Sequence, residues 1–436
     1  MLVGGTTLAH AITAAAMPVA TRLYSPTDFA AAAAFSSLIG ILVVASCLRF
    51  EVAIPLPQDD EEAANLLALS VASVIVFSVI VAGVVAALPV EALALLGQPT
   101  LIPHLGLLAP GLLIGGLYLA LQMWFVRRKG FGPIARSRVL QSASAVGGQL
   151  GLGFAGLTPL GLLVGQMLNY GAGAASLGVG ALLGERALFR RISWSGMRRA
   201  ARIHQKFPRY SVWEALANAA AIHLPVLLIA ALAAGPEAGY LTLAVFLLQA
   251  PMSLVGNAVG QVYLSAAPEA LREGRLAEHT AAMLCRLVRM SAGPIAFLAV
   301  VSPAAFGLVF GQEWTRSGVM VAWMAPWFFF QFLSSPLSMA LHVVGRQRTA
   351  LMLQIAGLVL RVGAVLLAAA IDRTWVVEAY AVSGLVFYAV YLGIVMRTVG
   401  IGLRAGLRPT LEAVLTGLGG AVLGLCVVVA LLQLTP

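Results

Sequence analysis

A single arginine, Arg361, interrupts the apolar run that begins near residue 350. In a helix it lies roughly 16 Å from the start of that run, at about 1.5 Å per residue. Arg at the centre of a bilayer-spanning helix costs at least about 2.5–3.5 kcal/mol, so it must face protein or water rather than lipid. In such a place a guanidinium binds an anion through bidentate, charge-assisted hydrogen bonds, a geometry that Lys cannot match. It can equally close a structural ion pair or cap a carbonyl. Polar residues also recur at helical spacing within other apolar runs. Thr6, His10, Thr13 and Met17 share one face, as do Glu214, Asn218 and Pro225. Gln249, Ser253, Asn257 and Gln261 form a third stripe, Gln331, Ser335, Ser338 and His342 a fourth, and Gln354 sits two turns before Arg361. Each stripe alone is explained by hydrogen bonding between helices; five together point to a shared hydrated cavity. Arg22, Arg49 and Glu51 fall at the ends of runs, where they anchor the chain at an interface or line a mouth. His10, His223 and His342 read as packing or cavity residues rather than proton carriers. The acidic run Asp59–Asp60–Glu61–Glu62 suits a helix N-terminus, its charge facing the positive end of the dipole. No carboxylate pair, metal-spaced His/Cys cluster or Gly-rich phosphate loop is present, so no catalytic residue, metal or cofactor is expected.

The elements that must hold these residues follow from composition. Of 436 residues, 60% are hydrophobic and 10% charged, with a mean hydropathy of +0.95. Soluble domains draw about a quarter of their residues from the charged types, so this chain cannot cover itself in water. Apolar runs bounded by charges and turns predict about 13 transmembrane helices, beginning near residues 2, 27, 62, 101, 134, 159, 211, 238, 287, 318, 350, 375 and 410. With the N-terminus cytoplasmic, 23 of the 27 Lys and Arg fall in inner segments and only Arg22, Arg316 and Arg373 outside. The net charge of +10 thus reports insertion orientation, not a nucleic-acid partner. The first run reads as a retained span rather than a cleaved leader, and an odd number of spans puts Pro436 outside. Cys47, Cys285 and Cys426 form neither a disulfide framework nor a metal site.

The longest inner connection, about residues 184 to 210, puts Phe189, Ile192, Ala200, Ile203 and Phe207 on one side of a wheel and Arg191, Arg198, Arg199, Arg202 and Lys206 on the other. This predicts an amphipathic helix on the inner leaflet, either a topological anchor or a collector for an anionic lipid. The chain also resembles itself. Pro18–Val19 followed by Pro26 and Asp28 recurs as Pro225–Val226 followed by Pro236 and Glu237. Six spans on either side of the basic connection make the halves parallel repeats, a transporter architecture. The expected organisation is a six-helix lobe over 1–183, a connection over 184–210, a second six-helix lobe over 211–396 and an additional helix over 397–436.

The stretches Gly5–Thr6–Thr7–Leu8–Ala9, Pro18, Thr21 to Phe29 (TRLYSPTDF) and Arg49 to Pro57 (RFEVAIPLP) resemble the oligosaccharide flippases. These are the polysaccharide transporter branch of the multidrug, oligosaccharidyl-lipid and polysaccharide exporter superfamily. Lys206 to Tyr210 (KFPRY), Leu224–Pro225 and Gln249–Ala250–Pro251 are similar too, so the resemblance covers about the first 270 residues. It implies an all-α polytopic membrane protein with two pseudo-symmetric six-helix lobes around a central cavity. It also implies movement of undecaprenyl-pyrophosphate-linked oligosaccharide from the inner to the outer leaflet of a bacterial cytoplasmic membrane by alternating access. On that reading Arg361, Arg22, Arg49, His10, Gln249, Asn257, Gln331 and Gln354 contact substrate, while Glu51, Glu214, Asn218 and His342 gate or couple ions. Membrane lipids, a polysaccharide polymerase and glycosyltransferases are the expected partners. Two alternatives stay open: a cation-coupled drug exporter, which calls for an acid deep in a span, and a polysaccharide polymerase or ligase, which calls for a large outer loop. Here the acids lie near span ends and the outer segments are short.

Overall fold

The computed structural model describes residues 2–233, 235–252, 256–401 and 403–434, and among these the chain is helical with no strand. In order the helices are α1 (Leu2–Leu23), α2 (Pro26–Ser46), the short α3 (Phe50–Ala53), α4 (Asp60–Ala87), the short α5 (Val90–Ala94), α6 (Leu108–Arg127), α7 (Phe131–Phe154) and α8 (Leu160–Gly184). Then come α9 (Arg186–Phe189), α10 (Trp194–Ile203), α11 (Val212–Leu232), α12 (Glu237–Pro251), α13 (Asn257–Arg272), α14 (Leu276–Phe310), α15 (Thr315–Leu337), α16 (Met339–Val343), α17 (Gln347–Ile371), α18 (Val376–Val399) and α19 (Leu403–Leu434). Nine helical stretches are long and apolar enough to cross a bilayer, among the described residues. The helices α1, α7 and α8 are as long, at 22, 24 and 25 residues, but richer in glycine and polar groups.

Local chemistry sets many of the starts. Ser25 caps α2 by accepting the Asp28 amide while Asp28 accepts the Ser25 amide, and Pro26 supplies a pre-set first position. Asp59 caps α4 by accepting the amides of Glu61 and Glu62, so the acidic run sits in the first turn, as its charge requires. Where the helices depart from the apolar runs, charges are the reason. Helix α14 starts at Leu276 rather than near 287, because Glu278 and Arg286 end hydrophobicity but not helicity. Helix α19 likewise starts at Leu403. The basic connection is not one amphipathic helix. Ser193 caps a separate α10 through the Gly196 amide, and Pro208 lies in a π-turn spanning Phe207–Ser211.

The chain divides into two compact units, Met1–Ala231 and Leu232–Pro436. In the first, a core of Cys47, Phe50, Ile54, Leu66, Tyr118, Trp124 and Leu177 joins the end of α2 to α3, α4, α6 and α8, and Ala200 of α10 completes it. Helix α11 packs here as well, and Gly40 of α2 leaves the space that the His223 ring fills. In the second unit, Tyr263, Leu287, Phe332, Leu333, Phe387, Tyr391 and Val395 make the corresponding core. Gly420 of α19 lies against the Gly293 backbone of α14, where a Cβ would approach the carbonyl oxygen to 2.1 Å. Only glycine allows that contact, and it seats α19 on α14.

Candidate substrate and ion sites

In the first unit the polar stripe of α1 turns toward α7. Arg138 donates to Thr6 Oγ1 at 2.8 Å, Thr13 and Ser142 share a hydrogen bond at 2.8 Å, and Ser142 donates to the Ala9 carbonyl at 2.7 Å. This stripe therefore includes a helix-to-helix seam; His10, on the same face, is half-buried. Arg22, in the last turn of α1, is exposed.

Between α2 and α4 the chain makes a tight turn in which Leu48 and Arg49 both take left-handed backbone conformations, φ 52° and 61°. The turn aims Arg49 back at Glu51, Nη1 to Oε1 at 3.4 Å. Glu51 is only 3% exposed in its side chain, and its second oxygen, Oε2, accepts no hydrogen bond. Burial pushes its carboxyl up to about 7, against the opposing pull of its backbone hydrogen bond and Arg49. The same burial, together with the Glu51 charge, raises the Cys47 thiol well above its ordinary value.

A second network ties the basic connection to α4. Asp60 accepts from Arg127 at 2.8 Å and from Arg128 at 3.0 Å, and Arg128 also donates to Glu185 at 2.6 Å. His204 meets Glu62 at 2.8 Å, and the Asn65 side chain accepts the Ser193 amide at 3.1 Å. The Glu185 bond holds Arg128 above its ordinary value. Glu214 and Asn218, on the first turns of α11, are exposed.

In the second unit Arg361 is 8% exposed. Its Nε donates to the Gly357 carbonyl at 3.0 Å, its guanidinium lies 5.2 Å over the Phe387 ring, and the Tyr380 hydroxyl is within hydrogen-bonding reach. Among the described residues no carboxylate pairs with it. Gln331 is half-buried with Oε1 accepting no hydrogen bond, whereas Gln249 and Gln354 are exposed. Ser253 and the side chains of Asn257, Gln261 and His342 lie outside the described residues.

One charged cluster was not anticipated from sequence. Arg316 of α15 donates to both oxygens of Glu237 on α12, at 3.2 and 3.3 Å, and to Glu378 Oε1 on α18. The sequence shows these as three separate charges at the ends of apolar runs. The signal that could have joined them is that each opens a helix entered from the same side of an alternating bundle.

A family model described as polysaccharide biosynthesis protein matches residues 19–318. Among solved structures, the chain is similar to a lipid II flippase MurJ in an inward closed conformation, with a TM-score of 0.68 and 11% identity over 99% of this chain and 98% of that one. It is similar to an inward-facing multidrug resistance MATE family transporter of the MOP superfamily, with a TM-score of 0.61 and 15% identity over 99% and 96%. A Vibrio cholerae MATE transporter gives 0.55 and 14% over 93% and 95%. No curated protein matches the chain by sequence. At these identities the structural likeness establishes the fold.

Proposed function

The chain belongs to the polysaccharide biosynthesis protein family, and from that premise we propose that it is a flippase rather than an enzyme, moving undecaprenyl-pyrophosphate-linked oligosaccharide from the inner to the outer leaflet. The observation that carries this reading is the coincidence of a polysaccharide family match with a fold shared, over nearly the whole chain, with a flippase of a lipid-linked substrate. The need for such a protein is physical. Each sugar hydroxyl stripped of water without a partner costs several kcal/mol in hydrocarbon, so an oligosaccharide headgroup does not cross unaided. A polar path removes that cost while the prenyl tail stays in lipid.

On this reading the protein sits in the bacterial cytoplasmic membrane with its N-terminus inside. Two six-helix repeats, over 1–183 and 211–396, alternate in access, and the helix over 397–436 is an addition. Arg361 is the pyrophosphate ligand. In the conformation described here Phe387 and Tyr380 enclose its guanidinium, so pyrophosphate contact requires these rings to move. Arg22, Arg49, His10, Gln249, Asn257, Gln331 and Gln354 supply further contacts to pyrophosphate and sugar. Glu51, Glu214, Asn218 and His342 gate the path or carry ions. If the pyrophosphate carries about two negative charges, outward movement across an inside-negative potential gains up to roughly 2.3 kcal/mol per charge per 100 mV. A polymerase and glycosyltransferases are the natural partners, since they would make and consume the carried unit.

The test is complementation of a flippase-null strain with Arg361→Ala and Arg361→Lys at equal protein levels. Loss of surface polysaccharide in the Ala variant, with partial recovery in the Lys variant, supports the assignment; full polymer in both removes Arg361 from the mechanism. The second reading, a cation-coupled exporter, draws on the fold shared with MATE transporters. Accumulation of completed lipid-linked units inside cells lacking the protein separates the two readings.

A further inference from the structure

The Arg316 cluster holds two carboxylates and one guanidinium, each on a different helix of the second unit. Glu378 is nearly closed off, its side chain 9% exposed, and Glu237 is 13% exposed. Arg316 satisfies both oxygens of Glu237 and one of Glu378. Glu378 Oε2 is buried and accepts no hydrogen bond. Among the described residues of the second unit, none supplies the missing positive charge. On α12 the nearby titratable group is Tyr240, whose ring packs edge-on against Trp314, and the turn before α15 adds Glu313, a further negative charge. The last two turns of α14 and the last two turns of α17 carry no titratable residue. Arg361 is engaged deeper, with Gly357, Phe387 and Tyr380. Ahead of α18, Asp372 spends its carboxylate on the Thr374 amide, and Arg373 is exposed. The N-terminal dipoles of α12 and α18 ease the ionised state of the two acids, yet no backbone amide reaches Glu378 Oε2.

Two enclosed carboxylates on one guanidinium leave one negative charge uncompensated where water is scarce. The cation that makes up the difference is small and needs one oxygen. A metal ion would have to bind beside a guanidinium, and no group of three His, Cys, Asp or Glu able to hold one occurs among the described residues. We propose that Glu237, Glu378 and Arg316 form a proton-binding site in which the two carboxylates share one proton, the unpartnered Glu378 Oε2 being the open oxygen of the pair. Arg316, 30% exposed, leaves the buried pair at the edge of the packed helices rather than deep inside them. Use of this site to drive the conformational cycle rests on the transporter reading above; the binding of the proton does not.

The experiment is infrared difference spectroscopy of the purified full chain in detergent across a pH titration spanning neutrality, reading the C=O stretch of protonated carboxyls. The wild type is compared with Glu378→Gln and Glu237→Gln. In either variant one carboxylate remains for one guanidinium, and the proton is no longer needed. The expected result is a protonated-carboxyl band in the wild type that loses the intensity of one group in Glu378→Gln, and in Glu237→Gln as well. Loss in either variant supports the site. A band unchanged in both means that the two acids are ionised and purely structural, and overturns it. Replacing potassium chloride by sodium chloride at fixed pH is expected to leave the band unmoved, whereas sodium-dependent loss would make this a metal site and also overturn the assignment. No substrate is used, so the outcome is independent of whether the chain moves lipid-linked sugar.

Discussion

At the start of α2, Asp28 turns back on its own helix, where the Ser25 amide and hydroxyl both donate to it. At the matching turn of the second unit, Glu237 opens α12 and reaches Arg316, 79 residues on, which in turn holds Glu378, 62 residues further. The first acid is satisfied within one turn of backbone. The second depends on three helices being in place together, and it brings an excess negative charge with it. A repeat can therefore keep its turn geometry while one copy loses a long-range demand and the other acquires a titratable one.

Breaking the second arrangement has the largest expected effect. Arg316→Met leaves two enclosed carboxylates without a cation and lowers stability toward the lower end of about 3–5 kcal/mol, since Arg316 is partly exposed. Thermal unfolding of the detergent-solubilised protein measures it. Adding Glu237→Gln in the same background recovers most of the loss; equal instability in single and double variants breaks the proposed charge logic.

Glu51 sharpens the comparison from within the first unit. Its carboxyl titrates near 4.5 when unfolded and about 7 when folded, so the folded state holds the proton more tightly. Stability is then full below pH 4.5 and falls as pH rises toward 7, by at most about 3 kcal/mol. Glu51→Gln matches the wild type in acid, exceeds it above pH 7 and flattens the pH dependence. A wild-type profile already flat between pH 5 and 7 contradicts this.

Removing the self-contained cap is milder. Asp28→Ala is expected to cost about 1 kcal/mol, with no rescue by any second-unit variant. The smallest effect belongs to the α1–α7 seam. A double-mutant cycle on Thr13→Val and Ser142→Ala should give a coupling near 0.6 kcal/mol, the usual scale for hydrogen bonds between membrane helices.

Helix positions were legible because twenty apolar residues in a row leave a bilayer-spanning chain little choice but helix. The starts expected near residues 27 and 62 fall within two residues of the observed Pro26 and Asp60, and the acidic run read as a helix N-terminus supplies the cap Asp59. The error at α14 arose because hydropathy marks where lipid ends rather than where the helix ends. The stripe on α1 was visible as polar, but its partners Arg138 and Ser142 were not, because Arg138 reads as one more inner positive charge until α7 is docked. The Arg316 cluster was illegible for the same reason: each residue alone looks like an interfacial charge, and only packing within the second unit brings the three together. Arg361 stood out because burial of an arginine is costly wherever it occurs, while its actual neighbours, Phe387 and Tyr380, lie on the next long helix.

The flippase reading is tested most directly by reconstitution. The purified chain is placed in liposomes loaded with a lipid-linked oligosaccharide, and the fraction reachable by a membrane-impermeant glycosidase added outside is followed over time. Wild-type protein should expose the lipid pool of the inner leaflet and Arg361→Ala should leave it protected; equal protection with and without the wild-type chain would contradict the proposed activity.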